Sequence, residues 1–131
     1  MNLDGGIYDC DQLYGPVFTL NCKKIAYIVI RNGYGKNAQS FRNNSRAKDV
    51  YFANLDAWRD EYTDWDDEAI LYSGKLQDTM EPQRLEISED KSCNNNVRKV
   101  QMIFGASSDC FYRGAKWNDL CISEVEFWGY E

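Results

Sequence analysis

Histidine is absent from the 131 residues. Its absence removes the commonest general base, the usual nucleophilic triads and most zinc sites. The five cysteines (Cys10, Cys22, Cys93, Cys110 and Cys121) contain no C-x-x-C pair, which argues against zinc and dithiol redox motifs. No apolar run reaches the roughly 18 residues of a membrane span, and no apolar stretch follows Met1, so neither a span nor a signal is visible. Basic residues are outnumbered, 15 against 21 acidic, for a formal charge of −6. Nucleic acid needs clustered Lys and Arg to release its counterions. No nucleic-acid partner is expected.

What the chain does have is aromatic surface, 15% of residues with four Trp and nine Tyr. Such rings serve a β core and a stacking surface equally well. The length suits one domain over residues 1–131, large enough to bury a core without staples. An odd cysteine count leaves at least one thiol unpaired within the chain. Cys10, Cys22, Cys93 and Cys110 could pair in an oxidising compartment, in an order the sequence does not give.

Residues 2–16 read as loop and 17–20 as a short strand. Residues 24–31 (KIAYIVIR) are the strongest apolar run, an expected central strand that ends at the turn signal Asn32-Gly33. Residues 33–48 are amide-rich, a loop or a single helical turn. A strand is expected at 50–53, followed by the acidic, aromatic excursion 56–68, read as a long loop with one helical turn. Further strands are expected at 69–76, 83–87 and 97–104, with a turn at 78–82, a polar loop at 88–96 and a turn at 105–109. The turn-rich segment 112–119 (YRGAKWND) then feeds a strictly alternating strand. In that alternation Cys121, Ser123, Val125 and Phe127 share one face, and Ile122, Glu124, Glu126 and Trp128 the other. Roughly eight short strands with polar connections predict an all-β antiparallel sandwich, a jelly roll.

Several of these segments occur together in a recognisable order: Asn32-Gly33-Tyr34-Gly35-Lys36, then Phe41, Asn43-Asn44, Arg46 and Lys48, then Leu76-Gln77-Asp78-Thr79 with Gln83, and finally YRGAKWNDLCISEVEF. The chain thereby resembles the discoidin-like (coagulation-factor C-type, galactose-binding-like) domains. The subgroup is that named for the translocation domain of bacterial NAD glycohydrolase toxins. The resemblance covers residues 17–129. It implies an eight-stranded jelly roll acting as a carbohydrate-binding or surface-targeting module, often appended to another domain. NAD hydrolysis is not implied, because that activity belongs to a separate domain. Two segments depart from the pattern. The part before Val17 is short, with only Leu3-Asp4-Gly5-Gly6 matching the usual opening loop, and 56–68 is long.

The candidate ligand-binding residues are Trp58, Tyr62, Trp65, Tyr112, Arg113 and Trp117. Tyr112, Arg113 and Trp117 could stack on a sugar ring and bond its hydroxyls. Equally, Tyr112 and Trp117 could pack under the sandwich while Arg113 and Lys116 close a turn through carboxylates, since the resembled family keeps a Tyr-x-Gly-x-Lys pattern there. Trp58, Tyr62 and Trp65 lie among seven carboxylates, too much charge for all three to be core residues. They form either a ligand platform or a local cap. Amides and cations after the central strand (Asn32, Tyr34, Lys36, Asn43, Asn44, Arg46) more often satisfy backbone groups in turns than bind ligand. The resemblance also implies one structural calcium ion, with Asp4 and Glu124 as candidate metal ligands among the six to eight oxygens calcium takes. Glu124 could instead be a salt-bridge partner on a solvated face.

The expected function is thus a non-catalytic, lectin-like module that binds a glycan or glycoconjugate, secreted or displayed on a surface as part of a larger protein. The alternative is a protein-interaction or translocation module, docking a fused or partner domain. A hydrolase is disfavoured, since glycosidases set two carboxylates roughly 5–9 Å apart across a cleft, and here the carboxylates fall mostly in one run.

Overall fold

The structure is a computed structural model and describes residues 12–57, 69–105, 107, 109–117 and 120–130. Among them are nine strands: β1 Gln12–Cys22, β2 Ile25–Asn32, β3 Ser45–Ala47, β4 Asp49–Asn54, β5 Ile70–Lys75, β6 Gln83–Glu86, β7 Val97–Gly105, β8 Phe111–Tyr112 and β9 Leu120–Gly129. One short helix, α1 Ala38–Asn43, and a 3-10 turn at Leu55–Ala57 complete the described elements. The strands form two sheets, ordered β1-β7-β4-β5 and β6-β2-β9-β3-β8. All pairings are antiparallel except β3 with β9, which run parallel at Ser45–Leu120 and Arg46–Cys121. This is the expected β-sandwich of the jelly-roll class.

The core lies between the sheets and is built largely from β-branched and aromatic side chains, which suit a pleated, packed surface. β2 contributes Ile28 and Ile30, β4 contributes Val50 and Phe52, and β7 contributes Val100 and Met102, all essentially inaccessible. Phe127 of β9 joins the layers. Its ring meets Phe18 at 5.1 Å and stands edge-on to Phe52 at 6.0 Å. β4 is buried on both faces, because Tyr51 and Ala53 form a second cluster with Ile70 and Ile103 on the opposite side of its sheet.

Three local readings are corrected. Residues 12–16, expected as loop, are strand. Gly15 and Pro16 sit where the β1–β7 register shifts between Tyr14 and Val17, and an edge strand tolerates such residues at a bulge. Residues 45–47 form β3, a polar strand that alternation could not reveal. The strict alternation of β9 is broken as well. Arg31 pairs with Glu124 but Asn32 with Ile122, so Ser123 is an extra residue on β9. The bulge reverses the facing of everything before it. Leu120 and Ile122, not Cys121 and Ser123, join Val125 and Phe127 against the core.

Cys22, Cys93 and Cys121 remain thiols, whereas Cys110 is disulfide-bonded.

Candidate functional site

The chain reversal after β2 builds the site. Gly33 has φ of +74°, and a Cβ there would lie 2.6 Å from the Phe41 ring and 2.7 Å from the Arg46 stem. Only glycine fits that turn. The turn is fastened to β9 by the bulge residue. The Ser123 hydroxyl donates to the Gly33 carbonyl and accepts from the Gly35 N–H at 2.8 Å, while Gly33 N–H donates to the Cys121 carbonyl at 2.9 Å. The bulge therefore shapes the turn.

Between this turn, the 80–81 segment and the start of β9 lies a groove of about 970 Å³. Its polar lining includes Arg31, Tyr34, Lys36, Asn44, Ser123 and Glu124. Tyr34 is 47% exposed, so its ring is offered to solvent at the groove wall. Arg31 Nε lies 3.5 Å from Glu124 Oε2, with both side chains about half exposed. Glu124 is also hydrogen-bonded to Glu126. That hydrogen bond is the main reason the Glu124 carboxyl is held above its usual range, with burial and the Glu126 charge adding and Arg31 opposing. Glu126 is held below the usual range because it accepts from Glu124 and from Trp128 Nε1, the latter at 3.0 Å.

The sequence-predicted residues separate into distinct places. Tyr112 is half-buried, and its hydroxyl donates to the Leu76 carbonyl at 2.8 Å. Burial first, then the charge of Asp78, push its phenol up. The loop that follows hangs from the end of α1. Ala115 N–H donates to the Arg42 carbonyl at 2.9 Å, and the N–H groups of Lys116 and Trp117 donate to the Asn43 carbonyl at 3.1 and 2.7 Å. Arg113 and Trp117 point outward, Trp117 being 51% exposed with the Lys116 ammonium 5.2 Å from its ring centroid. Asn43 adjoins Asn44, so this loop borders the groove by its backbone.

Of the polar set after β2, Asn32, Asn44 and Arg46 are buried. The Asn32 amide donates to the Ala47 carbonyl at 2.7 Å and accepts from the Ala47 N–H at 2.9 Å. Tyr34, Lys36 and the buried Asn44 are the members that line the groove. Glu124 lines the groove. Trp58, Tyr62, Trp65 and Asp4 lie outside the described residues. Among the described residues no three acidic or cysteine side chains gather to hold a metal ion, and the described half of the expected calcium pair, Glu124, already faces a guanidinium. Arg31 and Ser123 were not singled out from sequence. Their signal was a turn dipeptide followed by Tyr-Gly-Lys opposite a serine that interrupts an apolar alternation, and it acquires meaning only once β2 and β9 are known to be neighbours.

No helix among the described residues is long and apolar enough to cross a membrane. The model of the NAD glycohydrolase translocation F5/8 type C domain family matches residues 17–128. No curated protein and no solved structure matches the chain. With most of its length matched, the chain belongs to that family, a class of discoidin-like binding modules.

Proposed function

We propose that this member of the NAD glycohydrolase translocation F5/8 type C family is a non-catalytic glycan-recognition module. The observation that carries the reading is the groove, where the exposed Tyr34 ring stands among the donors of Arg31 and Lys36 and the acceptors of Ser123 and Glu124. A ring face together with planar and charged hydrogen-bonding groups matches what a hydroxyl-rich ligand presents. Arg113 and Trp117 extend the surface along its border, and Trp58, Tyr62 and Trp65 are the further candidates. Of the two carboxylates that line the groove, Glu81 and Glu124, the second already faces the Arg31 guanidinium, which suits a hydrogen-bonding acceptor more than a catalytic acid.

We also propose that the module is secreted or displayed on a cell surface as part of a larger protein, targeting an attached domain to a surface. The family description fits such a role, and the disulfide at Cys110 suits an oxidising compartment.

A glycan array, run with and without calcium and followed by titration of hits, tests the reading. Binding lost in Tyr34→Ala or Trp117→Ala supports it and locates the site. The calcium arm tests the contribution of Asp4 and Glu124. A folded protein that binds no glycan in either condition overturns it. So does turnover abolished by a single Asp or Glu replacement.

A further inference from the structure

The outer face of the five-stranded sheet carries a row of side chains remote from the core and built in a definite order. Tyr27 of β2 pairs across the sheet with Glu86 of β6 on one side and Trp128 of β9 on the other. The Tyr27 and Trp128 rings are stacked, 5.8 Å between centroids and 12° between planes. On the other side the Arg84 guanidinium lies 3.6 Å from the Tyr27 centroid, and its Nε is held by Glu86 Oε2 at 2.5 Å. Trp128 is fixed in turn, because its indole N–H donates to Glu126 at 3.0 Å. Among the described residues the row stops at Trp128. β3, the neighbour of β9 on that side, pairs only with Leu120 and Cys121, and Trp128 is 50% exposed.

The two ends of the row have the same parts, less one. At the Tyr27 end an aromatic face, a guanidinium and a carboxylate form a closed cation–π set. At the Trp128 end there is an aromatic face and a carboxylate, Glu126, which forms no ion pair among the described residues, while Glu124 faces Arg31. Tryptophan is the better cation acceptor of the two rings. A guanidinium stacks flat on a ring and still reaches a carboxylate at its edge, which an ammonium does less well. The chain's charge of −6 adds long-range attraction for a basic partner.

We propose that the outward face of Trp128, with Glu126 at its edge, is a docking site for an arginine side chain on a basic segment of a partner protein. The site is separate from the groove and does not depend on glycan binding there. Arginine at this position extends the row by one layer and repeats what Arg84 does within the chain.

The test is a titration of the protein with blocked tri-arginine peptide, followed by NMR at the Trp128 indole N–H, assigned by its loss in Trp128→Phe. A saturable shift is expected, weakened about fivefold in Glu126→Gln, as loss of an exposed ion pair beside a retained aromatic face implies. Blocked tri-citrulline should give no shift, and Tyr34→Ala, which alters only the groove, should leave the arginine response intact. An unmoved Trp128 signal overturns the proposal. Equal binding by Glu126→Gln and the parent does so as well. A response to tri-citrulline, or to a glycan from the array but not to tri-arginine, identifies Trp128 as an uncharged stacking surface and also overturns it.

Discussion

Arg46 grips Asp78 with both prongs of its guanidinium, Nε to Oδ1 and Nη2 to Oδ2, each at 2.8 Å. Its remaining nitrogen, Nη1, donates to the carbonyls of Phe41, Arg42 and Asn44 at 3.2, 3.0 and 3.1 Å. Those carbonyls belong to the same turn of chain that supports the Trp117 loop. Arg46→Ala is expected to cost about 3 kcal/mol, the low end for a broken buried pair, because Asp78 keeps 37% of its side chain exposed. Arg46→Lys retains the charge without the fork and should recover only part of the loss. Urea unfolding measures the cost, and amide exchange at 115–117 should quicken in both variants. Unchanged exchange there would separate Arg46 from the loop.

Gly114 fixes that loop from the other side. A Cβ at this position would meet the carbonyl oxygens of Asn43 and Trp117 and the carbonyl carbon of Asn44, all backbone atoms that cannot swing aside. Gly114→Ala is expected to destabilise by about 2 kcal/mol, within the range for overpacking, and to weaken any ligand that uses Trp117. A variant with the parent's thermal midpoint would show that the loop has room to move.

The sheets were legible in the sequence wherever one face is buried against a core made of neighbours in the same pattern. Residues 83–87 show it, with Leu85 and Ile87 buried and Arg84 and Glu86 exposed. What escaped were features whose cause lies far along the chain. Ser45, Arg46 and Ala47 read as loop because Arg46 is a buried strand residue only by virtue of Asp78 and the α1 carbonyls. Ser123 fits a strict alternation as a string of letters. It becomes a bulge because Gly33 and Gly35, about 90 residues earlier, take its hydroxyl as their partner. The groove inherits this, since it is assembled from three separated segments. Tyr112 was open between ligand contact and packing under the sandwich, and its half-buried ring and bond to the Leu76 carbonyl tie it to the frame.

Asn94 replaces a missing strand partner. It is fully buried, accepts from the Ile25 N–H at 2.7 Å and donates to the carbonyls of Ile25 and Ser88 at 2.9 and 3.1 Å. Asn94→Ala orphans these backbone groups at about 1–3 kcal/mol apiece, so a total near 3 kcal/mol is expected. Asn94→Asp keeps the acceptor and turns a carboxylate toward two carbonyls. A carboxyl so placed titrates above its unfolded value, so this variant should lose stability as pH rises and regain it in acid. Denaturant midpoints across pH decide the matter. A pH-independent Asn94→Asp variant would mean that the loop at 88–96 simply opens.

The Glu124–Glu126 pair has its own pH signature, and its sign follows from the two opposite shifts. Glu124 is raised, so its contribution to stability is present at low pH and lost as pH climbs through its folded-state value. Glu126 is lowered, so its contribution is present above its unfolded value and lost as pH falls through the folded one. Between these points the two carboxyls are hydrogen-bonded to each other, while the Trp128 indole N–H also donates to Glu126. Side-chain carboxyl carbon shifts should therefore show two separated steps, Glu126 below the ordinary glutamate range and Glu124 above it. Because the pair titrates as a unit, each step belongs to both groups. Glu124→Gln keeps a hydrogen-bond donor without the ionisation, so it should erase the upper step and leave Glu126 low. Glu126→Gln should return Glu124 toward its ordinary range, with Arg31 as the remaining influence. Two glutamates titrating together in the ordinary range would overturn the opposite shifts and the hydrogen bond that causes them.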